Sequence, residues 1–321
     1  MLKSYFELLK RIEGEIQKNP FLGSPQNLYD PLNYMIGLGG KRIRPVLTLM
    51  GCELYSGIIE KAIPSALAVE IFHNFSLIHD DIMDKAPVRR GKLTVHEKWD
   101  TNIAILSGDL MLVKAYECLL KSEEKYLPEL FSVFNKMAAA VCDGQQMDMN
   151  FETQTDVTET DYLEMIRLKT SVLLGCSLQL GAIVADAPKD EALKLYKLGV
   201  NIGIGFQLMD DYLDAFGTPE LVGKQPGGDI LSNKKTIMLI KAMQTEKDKI
   251  EVLSNDKNIS DTHKIEEFKS LFIKIGSDVY LKSLSENYFG LASQNLKDLK
   301  VKESKKHDLK ELLVYLHNRS F

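Results

Sequence analysis

The sequence predicts an all-α protein, a single large helical bundle over residues 1–321, and three observations carry that expectation. Apolar residues recur at helical spacing through long stretches, as in Ile63-Ala66-Leu67-Glu70-Ile71-Asn74 and Leu193-Tyr196-Leu198-Val200, with no alternating strand pattern. Turn signals fall between these stretches: Gly37 to Gly40, Ala86 to Leu93, Thr153 to Thr160, Ala187-Pro188, and Gly217 to Asn233. Val and Ile sit in runs too long and too poor in turn residues for a sheet.

Taken in order, the elements have local reasons. Gly39-Gly40-Lys41-Arg42-Ile43-Arg44 is a glycine turn followed by three cations, and Pro45 suits the first position of the next helix. Apolar helical stretches over Phe72 to Ile78 and Ile202 to Met209 each run into a group of aspartates. Asp190, after Pro188, opens a run of good helix formers. Gln244 to Lys269 is rich in Lys, Glu and Asp and reads as a solvated helix pair with its loop. No fixed-period repeat and no sharp break in composition divides the chain.

Composition narrows the function classes. With 40 Lys+Arg against 45 Asp+Glu, the formal net charge is −5, which gives no global field to draw nucleic acid. Disorder is excluded by a 45% apolar fraction and balanced charge. Cys52, Cys118, Cys142 and Cys176 form no CxxC pair, so they read as free thiols in a reducing compartment. The N-terminus lacks the apolar run of a signal peptide. The longest uncharged stretch, Thr170 to Ala185, is shorter than the ~20 residues of a membrane span. A cytoplasmic protein without a transmembrane segment is expected.

Two segments carry the chemistry: Asp80-Asp81-Ile82-Met83-Asp84 and Asp210-Asp211-Tyr212-Leu213-Asp214. On a helix, Asp80 and Asp84, like Asp210 and Asp214, are i and i+4 neighbours about 5–6 Å apart. Such like-charge pairs next to apolar surface are costly unless neutralised. Hard oxygens at this spacing suit Mg²⁺, which takes one or two carboxylates alongside substrate phosphates. A single DDxxD could equally be a solvated acidic surface; two copies, each ending an apolar helix, favour metal-bound phosphate. The basic segments at Lys41 to Arg44 and Arg89-Arg90-Gly91 supply what phosphate oxygens need.

These motifs, together with GQQMD at Gly144 to Asp148, Lys169-Thr170, Phe206-Gln207, and GKQPGGDILSNK at Gly223 to Lys234, resemble those of the trans-isoprenyl diphosphate synthases, or polyprenyl synthetases. The resemblance covers residues from about 37 to 240. It implies a helical bundle around a deep central cavity, with the two acidic clusters facing each other across its mouth. It also implies a homodimer, and Mg²⁺, three ions with substrate bound, held by Asp80, Asp81, Asp84, Asp210 and Asp214. By the same resemblance Arg89, Lys169, Gln207, Lys224 and Lys234 contact an allylic diphosphate. Lys41, Arg44, His73 and Arg90 bind the diphosphate of isopentenyl diphosphate, while Thr170 and Gln207 present oxygens to the developing allylic cation. The expected activity is prenyl transfer to an all-trans product, twenty carbons first and fifteen second. Phe75, five residues before Asp80, and Phe72 deeper in the same helix are the implied floor that stops chain growth. Ordinary core packing is the competing account of both rings.

The sequence departs from the family pattern in small ways. Leu93 replaces the proline usual after RRG-x, and Asn233 stands where many members have glycine, which leaves Lys234 and Lys235 as rivals for one contact. A class I terpene cyclase would share DDxxD, but its second metal motif usually mixes Asn, Ser/Thr and Glu, and it does not need Lys41 and Arg44. A di-iron bundle would need a second copy of Glu70-x-x-His73, and none exists. A non-catalytic subunit would be expected to lose its acidic clusters. His79 and His96 read as structural.

Overall fold

A computed structural model describes residues 3–218, 226–256 and 259–318. The principal helices are α1 (Lys3–Lys18), α2 (Gln26–Gly37), α3 (Ile43–Glu53), α4 (Ile63–Met83), α5 (Thr101–Leu119), α6 (Leu127–Phe151) and α7 (Glu159–Ile166). They continue as α8 (Val172–Ile183), α9 (Lys189–Phe216), α10 (Ile237–Thr245), α11 (Lys247–Asn255), α12 (Asp261–Ile275), α13 (Ser277–Lys297) and α14 (Glu303–Asn318). A two-residue ribbon, β1 (Val88–Arg89) and β2 (Lys92–Leu93), is the one sheet among the described residues. The fold is all-α, as the periodicity predicts. No helix among the described residues is long and apolar enough to cross a membrane, and all four cysteines are free.

The chain divides into two compact units. The first comprises Met1–Asn135, Cys176–Tyr196 and Lys300–Leu309. Its centre is α4, which starts with a proline in its first turn and buries residues on every side, from Ser65 through Phe72 to Asp81. A helix apolar all round has to be surrounded, and α4 is. Helix α3 crosses the first unit's part of α8 closely: a Cβ at Gly51 would lie 2.5 Å from the Leu178 carbonyl oxygen, and one at Gly181 2.0 Å from that of Thr48. Asp100 caps α5 by accepting from the Ile103 N–H at 2.8 Å.

The second unit comprises Lys136–Gly175, Lys197–Leu299 and Lys310–Phe321. Its core gathers Phe268, Phe272, Leu281 and Phe289 with Ile202, Leu208 and Met209 of α9. Helix α7 begins with a capping box, in which Thr158 and Asp161 satisfy each other's backbone N–H. Beyond α7, residues Arg167–Ser171 form a single π-helical segment before the chain continues into α8. Within the charged stretch from Gln244 to Lys269, the helices that begin at Lys247 and Asp261 are α11 and α12, the helix pair that its composition predicts.

Candidate active site

The first acidic cluster sits on the last turn of α4, where Asp84 is the cap residue and its N–H donates to the Asp80 carbonyl at 2.9 Å. A helix C-terminus carries partial negative charge, so three carboxylates there oppose the dipole unless a cation joins them. They are not equivalent. Asp84 is exposed and Asp80 half-buried, whereas Asp81 is buried. Arg89 clasps Asp81, with Nε 2.8 and 2.9 Å from the two carboxylate oxygens and Nη2 2.7 Å from Oδ1. Asp81, which the family resemblance groups with the metal ligands, faces inward and spends both oxygens on Arg89. Burial alone would lower the Arg89 guanidinium, yet Asp81 and its acidic neighbours raise it.

Arg89 is presented by the β1–β2 hairpin, whose turn residues Arg90 and Gly91 both have positive φ, 52° and 72°. That is the backbone of a tight type I′ turn. Arg90 therefore points back at the glycine turn, donating from Nη1 to the Gly39 carbonyl. Gly39 and Gly40 have φ of 73° and 138°, and a Cβ on Gly40 would stand 3.0 Å from the Arg90 guanidinium. Only glycines accommodate both demands.

The cations of that turn divide their labour. Arg42 is buried in a left-handed conformation (φ 47°) and is consumed by structure. It donates to Glu70 at 2.6 Å, to Glu13 at 2.8 Å and to the Ile36 carbonyl at 2.6 Å. Glu70 also accepts from Asn74 at 3.1 Å, so Glu70-x-x-His73 is half of an ion pair rather than half of an iron site. Lys41 is exposed, its carbonyl held by the Tyr5 hydroxyl. Arg44 donates to His73 Nε2 at 3.2 Å, which fixes that ring as a neutral acceptor. Burial, then Arg44, Arg90, Arg89 and Arg42, hold the His73 pKa well below its usual value. Burial also lowers Arg44 to about 10, with Glu70 opposing and Arg90 adding to the fall. The buried Arg44 Nε has no hydrogen-bond partner among the described residues. Cations that depress one another around a neutral histidine form a pocket suited to an anion.

The second acidic cluster lies near the end of α9, with Asp210 exposed and Asp211 and Asp214 buried. Asp214 accepts the Asp229 N–H at 2.8 Å and so anchors the turn that leads to Lys234. Lys234 stands among acids: burial alone would lower its ammonium, but Asp229, Asp211, Asp148 and Asp214 raise it above the ordinary value. Its Nζ is 3.8 Å from Asp229. Asn233 has φ 53°, which explains why glycine is usual there and why asparagine serves instead. Lys224 lies outside the described residues.

Lys169 and Thr170 ride on the π-helical segment. Lys169 Nζ meets Asp148 at 2.6 Å, and Thr170 Oγ1 donates to Gln207 Oε1 at 3.4 Å. Two glycines let neighbouring helices close on this segment. A Cβ at Gly144 would be 2.3 Å from the Lys169 nitrogen, and one at Gly203 2.6 Å from Ser171 Cα. Single π turns inside α-helices recur at functional sites. Asp211 accepts from the Tyr162 hydroxyl and from Gln207 Nε2, the latter at 3.1 Å. Burial pushes the Asp211 carboxyl up, while Lys234 and the two donors pull it back. Tyr162 and Asp211 carry no sequence signal of their own, because a tyrosine in an amphipathic helix and a middle aspartate of DDxxD each read as ordinary.

On α4, Phe75 is half-buried and Phe72 buried. Phe75 makes edge contacts with Phe72 and with His79, at centroid distances of 5.4 and 4.9 Å, and Phe72 does so with Phe134 at 5.4 Å. His79 Nε2 lies 3.2 Å from the Ile105 carbonyl oxygen.

Donor chemistry at both clusters fits Mg²⁺: hard carboxylate oxygens, with Asp84 and Asp210 exposed and Asp80 half-buried. Residues 25–275 match the polyprenyl synthetase family. The chain is 38% identical over 307 residues to geranylgeranyl diphosphate synthase of Saccharolobus solfataricus, covering 94% of this chain and 92% of that one. It is 42% identical over 222 residues to geranylgeranyl diphosphate synthase of Methanosarcina mazei, covering 68% of each. A crystal structure of a geranylgeranyl pyrophosphate synthase superimposes with a TM-score of 0.94 at 42% identity over 98% of both chains. With paired aspartate clusters, a basic glycine turn and this likeness along nearly the whole chain, the protein belongs to the polyprenyl synthetase family.

Proposed function

We propose that the protein is a Mg²⁺-dependent trans-prenyltransferase that condenses isopentenyl diphosphate with an allylic diphosphate, ending at the twenty-carbon geranylgeranyl diphosphate. The observation that carries this reading is the crowding of Arg44, Arg90 and Arg89 around a neutral His73, which an anion would relieve; the two aspartate clusters add hard oxygens that suit Mg²⁺. Lys41, Arg44, His73 and Arg90 hold the isopentenyl diphosphate. Both acidic clusters serve the allylic diphosphate.

Asp80, Asp84 and Asp210 would hold Mg²⁺, three ions in the loaded enzyme, which would supply the positive charge that a departing diphosphate needs. Arg89, oriented by Asp81, grips that diphosphate together with Lys169, Lys224 and Lys234. Thr170 and Gln207 direct oxygens at the allylic carbon as positive charge develops there. The isopentenyl double bond attacks this carbon, the diphosphate leaves with its bonding pair, and loss of one proton restores a double bond. Phe75, backed by Phe72, stops elongation, and the small Ser76 beside it leaves room beyond fifteen carbons. The relatives named for geranylgeranyl diphosphate support this length.

The enzyme acts as a cytoplasmic homodimer; Ile105, Leu106 and Val113, exposed on one face of α5, are the surface for a second copy. The test is incubation with radiolabelled isopentenyl diphosphate and dimethylallyl, geranyl or farnesyl diphosphate, followed by chromatography of the dephosphorylated products. A twenty-carbon alcohol from every starter is expected. A fifteen-carbon end point would overturn the chain length, and no incorporation would overturn the activity.

A further inference from the structure

Two buried polar groups of the second unit to which the proposed reaction gives no task are Tyr162 and Asp211. Both are buried, Tyr162 completely. The Tyr162 hydroxyl donates to one Asp211 oxygen, and Gln207 Nε2 donates to the other at 3.1 Å. Gln207 and Asp211 are one turn apart on α9, whereas Tyr162 comes from α7.

A carboxylate only accepts hydrogen bonds, so both groups that approach Asp211 must donate. For Tyr162 that is no constraint. For Gln207 it decides which end of the amide faces inward: the nitrogen must, and the oxygen is turned to Thr170, 3.4 Å away. Without Asp211 the two amide orientations would be nearly isosteric, and the wrong one would aim an N–H dipole at a developing cation.

We propose that Tyr162 and Asp211 are positioning residues that lock the Gln207 amide with its oxygen towards Thr170 and the reacting carbon. The proposal rests on the role given to Gln207 and Thr170 above. Tyr162 acts at one remove: its hydroxyl satisfies the second Asp211 oxygen and keeps the carboxylate from rotating away from Gln207.

The test is a double-mutant cycle on prenyl transfer, with Tyr162→Phe and Gln207→Met singly and together. Tyr162→Phe keeps the ring and should lower kcat about 10- to 100-fold, the scale of a misdirected catalytic group, with KM for both substrates unchanged. In the Gln207→Met background the same change should leave kcat within about twofold, because the group it orients is gone. A full effect persisting in that background, a rise in KM in place of the fall in kcat, or no effect in the wild-type background would each overturn the proposal. If circular dichroism shows that Tyr162→Phe does not fold, Asp211→Asn replaces it under the same criteria, since an asparagine amide can accept from the Gln207 nitrogen or donate to its oxygen.

A second readout is independent of turnover. With ¹⁵N-glutamine labelling, the Gln207 side-chain signal, identified by its loss in Gln207→Met, should shift in Tyr162→Phe. An unshifted signal overturns the lock. The expected shift in Tyr162→Phe, with no prenyl transfer by the wild type, would instead overturn the proposed function.

Discussion

Gly144→Ala inverts an ordinary expectation and isolates the packing that positions Lys169 and Thr170. Inside a helix, alanine normally stabilises relative to glycine by about 1 kcal/mol. Here the added Cβ would lie 2.3 Å from the Lys169 backbone nitrogen and 2.8 Å from the Leu168 carbonyl carbon. It falls about 1 Å short of ordinary contact, and backbone atoms cannot swing aside as a side-chain tip can. Overpacking of this kind costs about 1–3 kcal/mol, which cancels or exceeds the propensity gain. Relief must come from the π-helical segment shifting away from α6, and it carries the Lys169–Asp148 ion pair and Thr170 with it. A displacement near 1 Å at catalytic groups can lower kcat ~10²-fold. Thermal unfolding and steady-state prenyl transfer are the assays, with a lowered Tm and a large fall in kcat expected. A raised Tm with unchanged kcat would refute the reasoning, because it would mean the segment tolerates a side chain beneath it.

Phe75→Ala should lengthen products by at least one five-carbon unit with a stability loss below the ~3–5 kcal/mol of a fully buried ring, since Phe75 is half-buried; chromatography of the products together with denaturant unfolding checks both. Phe72, in contact with Phe134 in the core, should show the full stability cost. Because burial and the surrounding Arg44, Arg90, Arg89 and Arg42 hold His73 below its usual 6.5 in the fold, the unfolded chain binds a proton there that the native state refuses. Stability should therefore decline as pH falls through about 6.5, by up to ~1.4 kcal/mol per pH unit from this group, and His73→Gln should flatten the decline in denaturant titrations at about pH 7.5 and 5.5. Arg44→Ala should raise KM for isopentenyl diphosphate with little change in KM for the allylic substrate; equal rises would mean that the two sites are misassigned.

Motif residues were legible in the sequence because their chemistry is local: DDxxD on a helix end, GGKRIRP on a glycine turn, RRG on a hairpin. Their division of labour was not. Nothing in the order Asp80-Asp81-Ile82-Met83-Asp84 says that the middle aspartate turns inward to Arg89, since that depends on a hairpin folding back by a type I′ turn. Nor does Lys41-Arg42-Ile43-Arg44 reveal that Arg42 is spent on Glu13 and Glu70, partners 29 and 28 residues away. The π-helical segment was equally hidden, because a one-residue widening of a helix leaves its apolar periodicity nearly intact. Asn233 shows the reverse: a departure from the family pattern explained by its positive φ. Tyr162 carries no signal in the sequence because its significance lies in a hydroxyl contact to Asp211, 49 residues away.

The central claim is that the two acidic clusters act together, through bound metal, on one allylic diphosphate. The most direct measurement is the rate of isopentenyl incorporation at saturating Mg²⁺ for Asp80→Ala, Asp210→Ala and the double variant. Each single substitution should lower kcat by at least ~10²-fold, the scale for removing one electrostatic stabiliser, and chelation of the metal should abolish turnover in the wild type. Groups that act as a unit are strongly non-additive, so the double variant should be little worse than the poorer single one. A near-native rate in either single variant, full turnover in excess chelator, or losses that simply multiply in the double variant would contradict the claim.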